Sequence, residues 1–154
     1  MSSDLWSFSL TTYARPGVEQ ACLQLQATGA NVCLLLCGLW LDQRKVECSE
    51  QRLQQLRRVA EDWDADVVQP LRALRTQWKA VAAKDADLDA LREKVKALEL
   101  EAEQRLLLRL EQTAQRWPQD EVTDLSAWLE GVAADTANLD RDALHQLRVA
   151  ATGT

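Results

Sequence analysis

Residues 31–41 read NVCLLLCGLWL, and the ten residues from Val32 to Leu41 are all apolar. A helix over about 31–45 that is apolar around its whole circumference must be surrounded by other parts of the protein. The run is too short to cross a bilayer, because a membrane-spanning helix needs about 20 apolar residues. We therefore predict that this helix lies at the centre of the fold.

The composition predicts an all-α protein. The chain has 154 residues with only five Gly and three Pro, and this length is typical of one domain. Leu, Ala, Gln, Glu and Arg, which are frequent here, lose little side-chain freedom in a helix. We predict a single-domain helical bundle, with a core over residues 1–117 and looser, acidic carboxy-terminal helices over residues 118–154.

The charge of the chain limits the classes of partner. Its formal net charge is -6, whereas binding to nucleic acid or to an anionic membrane needs a surplus of Lys and Arg. The amino terminus, MSSDLWSF, lacks the basic residues and the apolar run of an export signal. We expect a cytoplasmic protein with a protein partner, and neither nucleic acid nor membrane as a partner.

Two further helical units flank the central helix in the sequence. The first covers about 4–28 and is broken at Arg15-Pro16-Gly17. The second, over about 50–117, carries apolar stripes at helical spacing on both sides of a short polar turn, which predicts an antiparallel helical hairpin. Pro70 interrupts its first half, and the sequence leaves open whether the helix kinks near 66–70 or a fresh helix starts there. The exposed part of 86–117 also leaves a homodimer open.

Four cysteines could carry chemistry: Cys22, Cys33, Cys37 and Cys48. The C-x-x-C pair that is typical of zinc sites is absent, and free Cys behaves as a small apolar residue, so core packing is the favoured interpretation. Cys33 and Cys37 nevertheless share one helix face. The alternative is therefore a small-molecule or metal pocket near Cys33, Cys37 and Trp40. No cofactor and no bound metal are expected.

No pattern points to catalysis. His145 is the sole histidine, and it lies in the last predicted helix. Any nucleophilic site that needs a histidine base would have to use it. The carboxylates alternate or flank helix starts, as solvated faces and caps do. P-loop, dinucleotide-binding and zinc-protease motifs do not occur. We predict that the protein is not an enzyme.

A basic ridge is the candidate surface for a partner. Arg72, Arg75 and Lys79 follow one another at i, i+3 and i+7, and Arg58 lies one helix segment earlier. These side chains could pair with acidic residues of the following long helix, or they could form a docking strip for an acidic protein or an RNA backbone. Six Trp occupy apolar positions at helical spacing, and they could either fill the core or serve as exposed anchors at an interface.

The amino-terminal half resembles a known family. LWSFSLTTYARPGVEQACLQLQ, followed by NVCLLLCGLWL, is similar to the start of a family of short proteobacterial proteins of unknown function, and the resemblance covers residues 4–110. Relatives often have Asn at the position of Cys33, which speaks against a four-cysteine metal site. The resemblance implies a helical fold and an association with genes for a cytoplasmic ATP-binding-cassette protein of the translation-factor type. It implies no reaction.

These observations lead to two hypotheses about function. The first is a non-enzymatic protein-interaction or adaptor protein that binds its partner through Arg58, Arg72, Arg75 and Lys79, or through the exposed part of 86–117. The alternative is a helical small-molecule or metal-binding domain that uses the pocket near Cys33, Cys37 and Trp40.

Overall fold

The computed structural model describes residues 4–119, 127–134 and 140–152. In this part of the chain the fold is all-α, which confirms the predicted fold class. The elements are α1 (Asp4–Tyr13), α2 (Val18–Ala27), α3 (Val32–Gln43), α4 (Glu50–Trp63), a π-helical turn (Asp64–Val68), α5 (Gln69–Ala82), α6 (Ala86–Ala114), α7 (Ala127–Ala133) and α8 (Arg141–Thr152).

Helix α3 is the centre of the fold, as its apolar sequence predicted. Every residue from Cys33 to Asp42 is buried, and α1, α2, α4, α6 and α7 all pack against it. Gly38 is needed where α7 crosses, because a Cβ there would lie 3.1 Å from Val132 Cγ2 and 3.3 Å from the carbonyl oxygen of Trp128. The missing side chain therefore lets the backbone of α7 approach α3 closely.

Short polar side chains start the helices that position the central unit. Asn31 accepts a hydrogen bond from the backbone N–H of Leu34 at 3.2 Å at the start of α3. Ser49 does the same for Arg52 at 3.3 Å at the start of α4. Each bond satisfies a backbone donor that has no partner inside its own helix.

The predicted hairpin over about 50–117 is present, with two differences. Helix α6 runs antiparallel to α4 and α5 but ends at Ala114, three residues before the predicted end. At Pro70 a separate α-helix, α5, begins at Gln69 with Pro70 in its first turn, and it follows a π-helical turn directly, without a side-chain cap. The π-helical turn over Asp64–Val68 joins α4 to α5, and the backbone N–H of Gln69 donates to the carbonyl oxygen of Asp64. This wider turn accommodates Pro70, which has no backbone N–H to donate.

The outer part of the hairpin, residues 69–101, forms what we call the arm. Helix α5 packs mainly against α6 and the π-helical turn. Within the arm only Ala82, Val95 and Glu99 are buried. At about 1.5 Å per residue, the 29 residues of α6 span about 44 Å. The arm therefore extends beyond the core that surrounds α3.

Helices α7 and α8 complete the described core. The buried carboxylate of Asp42 accepts the backbone N–H groups of Trp128 at 2.9 Å and of Leu129 at 3.0 Å. Trp128, Leu129, Leu144 and Leu147 belong to the same apolar cluster as α3. The core predicted for residues 1–117 thus also includes side chains from the carboxy-terminal region. Within the region 118–154, for which carboxy-terminal helices were predicted, the described helices are α7 and α8, and residues 120–126, 135–139 and 153–154 lie outside the described ranges.

All six tryptophans are at least half-buried, which supports core filling over exposed anchors. Trp40 and Trp128 are buried, and Trp6, Trp63, Trp78 and Trp117 are partly buried. The ring N–H of Trp128 donates to the carbonyl oxygen of Val46 at 2.7 Å, and that of Trp63 donates to Ala102 at 2.8 Å. Across the described ranges, no helix has the length and apolar character that crossing a membrane demands.

Candidate functional site

A cleft of about 610 Å³ lies between the amino-terminal helices and the hairpin. This volume falls within the range of ordinary ligand sites. Its walls come from α1, α2, the start of α3, the π-helical turn, α5 and α6. The lining residues that matter for its chemistry are Trp6, Ser9, Leu10, Tyr13, Leu23, Gln26, Cys33, Asp64, Arg72, Arg75, Glu99, Leu100 and Glu103.

The π-helical turn forms part of one wall. Asp64 and Val68, its first and last residues, both line the cleft, as does Gln69 directly after it. The side-chain amide of Gln69 donates to the carboxylate of Asp64 at 3.0 Å. Single π-helical turns inside longer helices are frequent at functional sites, because they shift the side chains that follow relative to those that precede.

A network of ion pairs forms the charged floor of the cleft. Arg75 Nε lies 2.6 Å from Glu99 Oε1, and Arg75 Nη2 lies 3.3 Å from Glu99 Oε2. Arg72 lies between two carboxylates, at 3.6 Å from Glu99 and 3.6 Å from Glu103. With the Gln26 amide oriented so that its oxygen faces Arg72, that oxygen accepts from both terminal nitrogens at 2.9 and 3.1 Å. Both guanidinium groups are therefore already bound within the chain.

Glu103 is the less well compensated carboxylate. Burial raises the pKa of its carboxyl group, and the charge of Glu99 raises it further, whereas Arg72 and Arg75 act in the opposite direction. Burial also raises the pKa of the nearby Tyr13 hydroxyl. Both groups thus favour their neutral forms more than they would in water. A positively charged group placed beside Glu103 would restore its preference for the ionised form.

The rim of the cleft is apolar. Leu10, Leu23 and Leu100 line it from α1, α2 and α6, and more than half of each side chain is exposed. Single exposed leucines are common on protein surfaces, but three that surround one cavity form an apolar patch. Because such patches mark binding sites, the rim is the part of the cleft best suited to apolar groups of a ligand.

Ser9 is a polar group in this wall without a partner. It is 4% exposed and lines the cleft, and its hydroxyl makes no hydrogen bond with any described residue. A buried hydroxyl without a partner costs free energy, and native proteins keep few of them. A ligand group that hydrogen-bonds to Ser9 would remove this cost.

The four residues of the predicted basic ridge do not act together. Arg72 and Arg75 line the cleft and pair with Glu99 and Glu103, as the first of the two interpretations expected. Arg58 and Lys79 are exposed and lie away from the cleft lining. The arrangement therefore offers no strip of four free positive charges to an acidic partner.

The pocket predicted near three α3 residues is only partly in place. Cys33 lines the cleft, but Cys37 and Trp40 are buried in the core and are absent from its lining. The cause is geometry, since residues on a helix that is buried on all sides face different neighbours. Burial raises the pKa of Cys22 to about 12 and raises the pKa of Cys33 and Cys37 as well. Among the described residues, no three His, Cys, Asp or Glu side chains are grouped as a metal site would require.

At the level of sequence, pairing of Arg72 and Arg75 with acidic residues of the following helix was one of two open interpretations, but Glu99 and Glu103 were not singled out as the partners. Both had the appearance of a solvated acidic face, because Glu residues alternate along this part of α6. The hairpin register gives no signal for this pair, because counting outward from the turn at 83–85 places residue 75 level with about residue 93 and not with residue 99. Nothing in the sequence distinguished Ser9, because its burial in the cleft wall depends on how other helices pack against α1.

One comparison with known proteins identifies a family. A family model described as "Protein of unknown function (DUF2390)" matches residues 4–110, which include every residue that lines the cleft. No curated protein and no solved structure matches the chain. The match spans well over half of the chain and agrees with the resemblance noted in the amino-terminal motif. The chain therefore belongs to the DUF2390 family, whose function is unknown.

Proposed function

We propose that this protein is a non-enzymatic interaction or adaptor protein, and that it holds a short segment of a protein partner in the cleft. One observation carries the proposal: three exposed leucines surround a cavity whose charged floor is already held together within the chain. Such a site combines an apolar surface for binding energy with polar groups for specificity, which is typical of recognition sites.

The charges of the cleft favour a basic partner segment. Asp64, Glu99 and Glu103 line it together with two arginines, Arg72 and Arg75. Since both arginines are bound to groups within the chain, the uncompensated charge is negative. A segment that places apolar side chains on the leucine rim and one Lys or Arg beside Glu103 fits this arrangement. This differs from the acidic partner that the basic ridge suggested.

The chemistry of the cleft supports a binding role over catalysis. Among the described residues Ser9 has no base within hydrogen-bonding distance, and a serine nucleophile needs one. Burial raises the pKa of the Cys33 thiol, so that the reactive thiolate is disfavoured. His145 is exposed on α8 and does not line the cleft. A cytoplasmic location and an association with an ATP-binding-cassette protein remain predictions of the sequence.

A selection from a phage-displayed library of short random peptides tests the proposal. The natural sequence serves as bait, and a Leu23→Glu/Leu100→Glu variant serves for counter-selection, since two carboxylates on the rim repel apolar groups. Leu91→Glu, an equally exposed leucine on the arm, is the matched control. We expect enriched peptides that contain large apolar residues and a Lys or Arg, and that bind the Leu91→Glu variant but not the rim variant. Enrichment of acidic peptides, or equal binding to the rim variant, contradicts the proposal.

A small-molecule ligand is the second candidate, and Ser9 is the observation that favours it. An unpartnered hydroxyl in a cavity of about 610 Å³ suits a compact ligand with a hydrogen-bonding group. Native mass spectrometry of protein purified from its host tests this directly. If a small molecule is the natural ligand, the spectrum should show a bound mass for the natural protein and for the Leu91→Glu variant, but not for the Ser9→Ala variant. A protein free of adducts from several hosts, with peptide binding intact, rejects it.

A further inference from the structure

The inner wall of the cleft reaches the apolar core. Cys33 and Leu36 line the cleft from α3, and Leu106 and Leu107 line it from α6, and all four side chains are buried. They belong to the same apolar cluster that surrounds α3. A group that enters this part of the cleft therefore meets mainly apolar surface, which favours the burial of a large apolar side chain.

The packing of α1 on α6 places Ser9 beside this inner wall. The backbone N–H of Leu5 donates to Glu111 Oε1 at 2.6 Å. Burial raises the pKa of the Tyr13 hydroxyl, and the charge of Glu103 contributes to the rise, so these two residues lie near each other. The order of these two neighbour pairs shows that α1 runs antiparallel to α6. Ser9, midway between Leu5 and Tyr13, therefore lies along the segment of α6 that supplies the inner wall.

Ser9 is a buried polar side chain of this wall whose hydroxyl has no partner in the described part of the chain. The residue is 4% exposed. Among the described lining residues, the other buried polar side chain is Glu99, which is already bound to Arg75. A hydroxyl can both donate and accept a hydrogen bond, and native proteins leave few buried ones unsatisfied. The inner wall thus combines apolar surface with one free donor and acceptor.

This combination selects the kind of side chain that can fill the inner part of the cleft. A Leu or Met side chain would leave the Ser9 hydroxyl unsatisfied, whereas Asn and Gln carry more donors and acceptors than one hydroxyl can satisfy. An aromatic ring with a polar end meets both requirements. A phenol hydroxyl donates and accepts, as Ser9 does, whereas an indole N–H only donates. The tyrosine side chain is therefore the best match.

We infer that the inner part of the cleft is a subsite for a tyrosine side chain of the bound segment, with the phenol hydroxyl hydrogen-bonded to Ser9. The inference rests on the proposed function, because the tyrosine belongs to the peptide segment that the cleft holds. It adds a third requirement to that segment, beside apolar groups on the leucine rim and a Lys or Arg at Glu103. A site built to bond a hydroxyl rejects the analogue without one, so phenylalanine should bind less well.

Two small probes test the subsite without any peptide. They are 4-methylphenol and toluene, which reproduce the side chains of tyrosine and phenylalanine. NMR titration of the full chain gives the affinity for each probe, and the backbone amide signals of Ser9 and Leu107 report whether it binds at the inner wall. In Ser9→Ala, the affinity for 4-methylphenol relative to toluene should fall by about three- to tenfold, because one hydrogen bond is lost.

Ser7→Ala is the matched control, since Ser7 is an exposed serine on the same helix and does not line the cleft. This variant should keep the natural ratio of the two affinities. An equal ratio in the natural protein and in Ser9→Ala overturns the inference. Signal changes that are confined to residues far from the inner wall overturn it as well.

The melting temperature of Ser9→Ala without any ligand is a second measurement. If the hydroxyl has no partner in the folded chain, its removal should leave the melting temperature unchanged or raise it. A clear fall that Ser7→Ala does not show would mean that Ser9 bonds within the chain. That result overturns the inference even if the variant still binds both probes.

A selected peptide separates this inference from the proposed function. Replacing its tyrosine by phenylalanine should weaken binding to the natural protein by about three- to tenfold, with little effect on binding to Ser9→Ala. Peptides that bind the cleft without a tyrosine, or that lose equal affinity for both proteins, overturn the tyrosine subsite and leave the proposed function standing. If 4-methylphenol binds beside Ser9 but no peptide is selected, the proposed function is overturned and the phenol specificity of the subsite is upheld.

Discussion

Arg75 and Glu99 join the two halves of the hairpin through two hydrogen bonds, at 2.6 Å from Nε to Oε1 and at 3.3 Å from Nη2 to Oε2. Their hydrogen bond also raises the pKa of Arg75 above its usual value. The pair has two consequences. It forms part of the charged floor of the cleft, and it ties α5 to α6 across the hairpin.

Glu99→Gln should lower the free energy of unfolding by about 1–3 kcal/mol. The change leaves Arg75 without its charged acceptor, and removing one partner of a mostly buried pair is costly. Chemical denaturation measures the loss, and the Arg75→Gln/Glu99→Gln double variant should lose less than the sum of the single variants. Lys96→Gln is the control, since the exposed Lys96–Glu93 pair should contribute less than about 1 kcal/mol. Strict additivity at Arg75 and Glu99 contradicts the assignment.

Gly38→Ala should destabilise the fold by about 1–3 kcal/mol, although Ala favours helices. The added methyl group would lie 3.1 Å from Val132 Cγ2 and 3.3 Å from the carbonyl oxygen of Trp128, so α7 must move away from α3. Val132→Ala in the same protein should recover part of the loss, because it removes the nearer contact. Thermal denaturation measures both effects. A more stable Gly38→Ala variant would show that α7 does not pack closely here.

Native thiol reactivity should be confined to Cys48. Cys22, Cys33 and Cys37 are buried, and burial raises the pKa of Cys22 to about 12, so that little reactive thiolate forms near pH 8. Titration with an aromatic disulfide should detect one thiol in the native protein and four after denaturation. The Cys48→Ser variant should give none in the native state. Rapid reaction of Cys33 or Cys37 would contradict the burial of α3.

Glu103→Gln should make the protein more stable at neutral pH while weakening partner binding. Because the folded-state pKa of Glu103 is raised, its contribution to stability is fully present below the ordinary pKa of 4.5 and is lost as pH rises through the folded value. Glutamine does not titrate and keeps that contribution at higher pH. In thermal denaturation from about pH 4 to pH 7, the melting temperature of the variant relative to that of the natural protein should therefore rise with pH. If the relative melting temperature of the variant instead falls as the pH rises, the prediction is contradicted.

The central helix and the hairpin could be predicted because their signals are local. A helix such as α3, with every residue from Cys33 to Asp42 buried, can only lie inside a fold, and Asn31 marks its start in the sequence. The π-helical turn could not be predicted. Pro70 disrupts a regular helix, and the backbone distortion that accommodates it depends on how α4 and α5 pack on α6. The docking of α7 had no signal either, since Asp42 and Trp128 are 86 residues apart.

The candidate site was predictable only in fragments. Arg72, Arg75 and Cys33 were selected from the sequence as parts of two different sites, and the structure brings them together in one cleft. Cys37 and Trp40 were misplaced, because a helix that is buried on all sides gives no periodic signal for which face borders a cavity. The leucine rim combines residues from α1, α2 and α6, and only the tertiary packing of these helices reveals it.

Isothermal titration calorimetry with one selected peptide tests the binding cleft most directly. The natural protein, the Leu23→Glu/Leu100→Glu variant, Glu103→Gln and the arm control Leu91→Glu are compared at the same pH. Our account predicts binding to the natural protein and the arm control with equal affinity, a loss of about tenfold or more for Glu103→Gln, and no binding to the rim variant. Equal affinity for all four proteins would place the binding surface elsewhere and contradict the account.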